Sequence, residues 1–286
     1  MELEPEGVVP PATDLQDGRD ATIQAIEALI DEDRLEEAIA EIEKLRAGGR
    51  GNPLDLAFLA GDAYLGMQRC REAEREFRSV LAQDPDCPAS RCWLAMALFL
   101  QWRFDEAEAA VLVARELPDA IPDVYAVHGA ILERRERWEE ADACFERAAA
   151  AAPDKYPLPV RMSRSDFDRE VRNAARKLPR QFRRALDRVP VVVQDVPADD
   201  LRADDGEPSE VGPDILGLFV GVPLPETDEL DVTNLRPNTI YLFQRNLERA
   251  AKGRADLVEQ IEITLYHELA HYLGFEEEDM EGLGLE

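Results

Sequence analysis

Small and apolar residues recur every 34 positions through the first half of the chain. Ala73, Ala107 and Ala141 keep that spacing, as do Phe77, Val111 and Phe145, and Val80, Ala114 and Ala148. Gly61, Ala95 and Gly129 mark a small position in the preceding stretch of each period. Inside a period the apolar positions lie three or four apart, which is the spacing of one helix face. Each unit therefore predicts helix, short turn, helix. The small residue is needed where two helices approach closely, and the larger residue four positions after the alanine fills the groove on the same face. Three units fall at 54–87, 88–121 and 122–155. Pro85 and Pro153 close two of them at the same phase, and Pro118 sits one residue early. A poorer unit covers about 20–53, with Ala38 and Ile42 out of phase by one. An end unit packs on one side only, so it tolerates divergence.

The period stops at 154–165 (DKYPLPVRMSRS), where two prolines break the helical pattern and predict a linker. A basic amphipathic helix follows over roughly Phe167–Leu186, with Pro179 marking a kink or break. Val191, Val192 and Val193 predict a buried strand, and Leu216–Leu224 and Thr239–Phe243 predict two more. Acidic segments with Pro and Gly separate them and read as loops. A last long helix begins near Asp256, which with Glu259 makes a capping-box-like start, and Gly274 supplies its stop. The expected fold is multidomain. An acidic, disordered tail (1–19) precedes an all-α helical solenoid (20–153), then come the linker (154–165) and a small α+β domain (166–286).

Composition narrows the function classes. The net charge of −28 argues against a nucleic-acid binder, because phosphate contacts need clustered Lys and Arg. The charge is uneven: residues 156–188 carry +6 within this acidic chain. That island reads as the solvated face of an amphipathic helix or as a dock onto an acidic surface of the same molecule. An adaptor acting on nucleic acid through residues 161–188 is the weakest of the functional readings. No stretch reaches the roughly 20 apolar residues of a membrane helix, and the first residues lack signal-peptide architecture, so a cytoplasmic protein without membrane contact is expected. Cys70, Cys87, Cys92 and Cys144 show no CxxC pairing and read as reduced, mostly buried thiols.

The chemistry concentrates in HELAH, residues 267–271 of the last helix. Histidines at i and i+4 project from one helix face a turn apart, so His267 and His271 can hold one metal ion. Glu268 beside them is placed to take a proton from a metal-bound water. The remaining histidine, His128, reads as a packing residue of the third full repeat. A zinc site needs a third protein ligand. In the metzincin-like pattern the chain turns at a glycine, here Gly274, and supplies a ligand three residues on, here Glu277. Glu276, Glu278 and Asp279 are rivals, because a loop can shift register by one. Tyr241, Arg245, Tyr266 and Tyr272 are candidate oxyanion stabilisers. A peptidase also needs an edge strand to pair with substrate, and TIYLF (239–243) is the strand expected to supply it.

The 34-residue units closely resemble the tetratricopeptide repeat, which implies a concave face that binds a peptide or partner protein. The order VVVQDVP, GLFVGVPL, TIYLF and HELAHYLGFEEEDM resembles the bacterial minimal zincin-like metallopeptidases over about 166–282. That resemblance implies a compact α+β zincin-like domain with one zinc per chain. His267 and His271 would be ligands, Glu277 the third ligand and Glu268 the general base. The expected function is a zinc-dependent peptidase, a hydrolase whose repeat half captures a protein substrate or regulator. The alternative is a repeat-based binding adaptor carrying an inactive or structural zincin-like domain.

Overall fold

The computed structural model describes residues 12–201, 211–224 and 237–275. The chain divides into two compact units, residues 1–127 and 128–286, with the division inside the seventh helix. Residues 1–11 of the expected disordered tail lie outside the described residues, and residues 12–19 belong to a helix that runs over Ala12–Asp31 instead of to a disordered tail.

Three helical hairpins build the first unit: α1 (Ala12–Asp31) with α2 (Leu35–Ala47), α3 (Pro53–Gly66) with α4 (Cys70–Gln83), and α5 (Pro88–Leu100) with α6 (Phe104–Glu116). The fourth, α7 (Pro122–Arg134) with α8 (Trp138–Ala151), has the same local design and leads into the second unit. The tetratricopeptide-type helical hairpins are therefore present as expected.

The 34-residue period has a steric cause. A Cβ at Gly61 would stand 2.6 Å from the Phe77 ring, and one at Gly129 would stand 2.5 Å from the Phe145 ring. The middle unit has Ala95 and Val111 at the equivalent positions, both fully buried, a larger small residue with a smaller large one. The phase slip of the first hairpin has a location. Leu45 precedes Val80 by 35 positions, whereas Leu56 precedes Ser90 by 34, so the extra residue lies between them, where Gly48–Gly51 links α2 to α3. Gly49 and Gly51 adopt φ of 61° and 81°, which glycine reaches without a Cβ penalty.

Each hairpin turn repeats one further device. Asp33, Gln68, Trp102 and Glu136 sit in the left-handed region, and an arginine follows each: Arg34, Arg69, Arg103 and Arg137. Every one of these arginines binds the glutamate three residues on, at 2.6–2.9 Å. These hydrogen bonds hold the Glu37, Glu72, Glu106 and Glu140 carboxyls below the ordinary carboxylate range. Arg103 also reaches the buried Glu74 of α4 at 2.7 Å, tying one hairpin to the next.

In the second unit, residues 152–163 carry no helix or strand. The helix expected over 167–186 is two helices, α9 (Arg164–Lys177) and α10 (Arg180–Leu186), separated at Leu178–Pro179. Leu178 is extended (ψ 147°), as a residue before proline prefers. A three-stranded sheet follows in the order β1-β3-β2, from β1 (Val191–Gln194), β2 (Gly217–Val220) and β3 (Thr239–Phe243). β1 runs parallel to β3, with Val192 opposite Tyr241, and β2 runs antiparallel, with Phe219 opposite Ile240. A short helix, α11 (Gln244–Ala250), continues directly from β3, and α12 (Arg254–Tyr272) completes the α+β region. Phe167, Val171 and Phe182 from α9–α10, Ile240 and Leu242 from β3, and Ile261, Leu265 and Leu269 from α12 form its core.

The α7–α8 hairpin and residues 161–162 join this core through a buried ionic cluster. Arg161 donates to Glu133 at 2.7 Å, to Glu248 at 3.1 Å and to Asp142 at 2.9 Å. Glu248 also accepts from the Met162 N–H at 3.0 Å and from Gln244 at 2.7 Å, and Glu133 also pairs with Arg249. Both carboxylates are almost wholly buried, at 1% and 0% side-chain exposure.

Candidate functional site

The site is built on the last two turns of α12. Leu257, Ile261, Leu265 and Leu269 form its inward stripe, which seats the helix against β2, β3 and α9. The start differs from the sequence expectation. The helix begins at Arg254, and Asp256, in its first turn, reaches back to accept the Lys252 N–H at 2.6 Å. The stop is as expected. Gly274, at φ 84°, lets its own N–H meet the His271 carbonyl at 3.0 Å and the Phe275 N–H meet the Ala270 carbonyl at 3.1 Å. Phe275 packs back on Ala270, the hydrophobic partner of such a cap.

His267 and His271 are half-buried and bring their Nε2 atoms to 3.1 Å. Their rings cross at 80° with centroids 4.7 Å apart. Glu268 lies on the next face and is 7% exposed. Its Oε2 accepts the Phe219 N–H of β2 at 2.6 Å. The strand comes this close because of Gly217. A Cβ there would stand 2.6 Å from the Thr264 methyl, 2.9 Å from the Glu268 Cγ and 3.0 Å from its Oε1.

The sheet register explains why this N–H is available. Leu216 accepts from Phe243, so positions 216, 218 and 220 carry the hydrogen bonds to β3. Gly217 and Phe219 then direct their backbone groups away from it. Here the structure corrects the expectation about the edge strand. TIYLF is β3, the central strand, flanked by β1 and β2. The strand beside Glu268 that pairs only with β3, among the described residues, is β2.

Residues 186–285 match the family model described as zincin-like metallopeptidase, and residues 58–122 match that of the tetratricopeptide repeat. The chain thus joins a zincin-like region to tetratricopeptide-type repeats. Among solved structures, a thermophilic tetratricopeptide-repeat protein of Thermus thermophilus is 19% identical, over 55% of this chain and 80% of its own, with a TM-score of 0.43. MamA is 18% identical over 45% of this chain and 74% of its own, with a TM-score of 0.38. No curated protein matches the chain.

The zincin-like family implies zinc, and the two imidazoles fit it. Bonds of about 2.0–2.1 Å in tetrahedral geometry need nitrogens about 3.3 Å apart, close to the observed 3.1 Å. Among the described residues no group of three or more His, Cys, Asp or Glu converges on this point. Glu277 and its rivals Glu276, Glu278 and Asp279 lie outside the described residues.

The other candidates are placed as follows. Tyr272 is buried against Phe219, and Tyr266 meets Phe182 edge-on at 4.5 Å. Tyr241 stacks beside Phe243, and Arg245 lies over Trp138 while bonding Glu248. His128 is buried, with Nδ1 3.6 Å from Cys144 Sγ, in keeping with a packing role. None of the four cysteines is in a disulfide, and two of them are buried. Among the described residues no helix is long and apolar enough to cross a membrane. The sequence reading missed Gly217 and the Phe219 N–H. A glycine inside a strand was the available signal, since it often marks close approach of another element.

Proposed function

We propose that the zincin-like region is a zinc-dependent peptidase and that the repeats bind its protein substrate or a regulator. The observation that carries this reading is Glu268. It is a buried carboxylate, one residue from a convergent histidine pair, anchored through one oxygen to a strand edge. A purely structural zinc site has no use for such a base, which weighs against the adaptor with an inert domain.

His267 and His271 would hold the metal through Nε2, with Glu277 as the proposed third ligand. Zinc, when bound, supplies Lewis acidity that acidifies water and polarises a carbonyl. Glu268 takes the proton at Oε1, the oxygen that does not accept from Phe219, and passes it to the leaving amine. Apart from the Phe219 N–H, which Glu268 takes, the outward backbone groups of Gly217 and Phe219 offer an extended peptide a strand to pair with, which orients the scissile bond along the edge. The repeats add affinity without taking part in the chemistry.

The test compares wild type with Glu268→Gln. Both should bind one zinc per chain by metal analysis, and only the wild type should cleave a fluorogenic peptide library. Rates should fall by about 100-fold or more, the usual worth of a general base. Equal cleavage by both proteins would overturn the assignment.

A further inference from the structure

The cationic island at 156–188 acquires a definite shape in the structure. Phe167, Val171, Leu178, Phe182 and Val189 all turn into the core, so the opposite face of α9–α10 is left to arginine. Arg172, Arg176, Arg180, Arg183, Arg184 and Arg188 are all exposed. Among the described residues none of the six has a carboxylate in ion-pair range. Arg176 meets only the Asn173 side chain, and Arg183 only the Arg176 carbonyl. The neighbouring cations differ. Arg169 pairs with Asp166 and Lys177 pairs with Glu262. Like charges also stand one turn apart at 172 and 176 in α9 and at 180 and 184 in α10, an arrangement that repels itself and is relieved by a bound anion.

We propose that this arginine stripe is a docking surface for a short, extended, Asp/Glu-rich segment of a partner protein. Arginine presents a planar fork that binds carboxylates in pairs, so six such forks suit a short run of carboxylates on an extended segment. A single-stranded nucleic acid needs aromatic platforms, but Phe167 and Phe182, the aromatics of α9 and α10, are buried at 0% and 2% exposure. A duplex would run its phosphates past the stripe onto a chain of net charge −28. A membrane surface needs an outward apolar face, and the apolar residues of both helices point inward. This docking does not depend on hydrolysis.

The experiment uses the full-length protein and fluorescence anisotropy with an eight-residue Asp/Glu peptide. Three other probes are measured alongside: its Asn/Gln counterpart, an RNA dodecamer and phosphatidylglycerol vesicles. The acidic peptide should bind, weaken with salt, and lose affinity at least about tenfold when Arg176, Arg180, Arg183 and Arg184 become Gln. A matching Arg→Lys set, which keeps charge but not the fork, should fall between the two, and thermal melts should be alike for all three proteins. Unchanged affinity in the Gln variant overturns the proposal. So does affinity for the RNA or the vesicles equal to or above that for the acidic peptide, and so does equal binding of the Asn/Gln peptide.

Discussion

A single missing side chain decides how the proposed base is held. At Gly217 a hydrogen is all that fits between β2 and the Thr264–Glu268 face of α12. Gly217→Ala must push either the strand or the Glu268 side chain. We expect a stability loss of about 1–3 kcal/mol from overpacking. On the peptidase reading, turnover should fall about tenfold or more while zinc affinity stays near wild type, because the histidines lie on another face. Zinc titration and peptide hydrolysis on the same preparation check this, and an unchanged rate would remove Gly217 from the machinery. His267, Glu268 and His271 were legible in the sequence because their relation is local: four residues is one helical turn. Gly217 was not, because its significance depends on a residue 51 positions away.

The repeats are matched pairs rather than conserved letters. Gly61 faces Phe77 and Gly129 faces Phe145, whereas the middle unit has Ala95 and Val111 at the equivalent positions. Gly61→Ala alone should destabilise the protein by about 1–3 kcal/mol. Combined with Phe77→Val, which recreates the middle pair, it should cost less than the two single changes added together, by about 0.5 kcal/mol or more. Denaturant melts of the four proteins measure that coupling, and strict additivity would show that the two positions do not share one space. Among the elements, α11 was not foreseen. β3 passes into it at Phe243–Gln244 with no glycine or proline to punctuate the change, and seven residues are too few for a helical period to declare itself. The break at Pro179 was foreseen, since proline acts on its own residue and the one before it.

Across the second unit, the ionic cluster around Arg161 joins segments far apart in the chain. Glu133 is on α7, Asp142 on α8, and Glu248 and Arg249 on α11. Arg161→Met would leave the buried Glu133 and Glu248 short of a counter-charge, and removing one partner of such a pair costs about 3–5 kcal/mol. Arg249, Gln244 and Arg245 compensate in part, so the lower end is expected. Urea melts of the full-length protein check this, and a loss below about 1 kcal/mol would show that the cluster is not coupled to folding. The same geometry leads us to propose that a chain beginning at Pro122 keeps the α+β region stable and one beginning at 166 does not, since the latter lacks Glu133, Asp142 and Arg161.

The sequence by itself determined whatever rests on local periodicity and local stereochemistry. The 34-residue hairpins follow from helix-face spacing, the end of α12 follows from Gly274, and the histidine pair follows from an interval of four. Its charge pattern also marked 156–188 as basic, because formal charge needs no fold. Tertiary structure alone decided which strand takes the edge, which backbone N–H anchors Glu268, and which carboxylates surround Arg161. It also decided that six arginines face outward with no acid in ion-pair range among the described residues. Those outcomes depend on pairing order and on distances between residues remote in the chain, and a period along one strand or helix carries no information about what packs across from it.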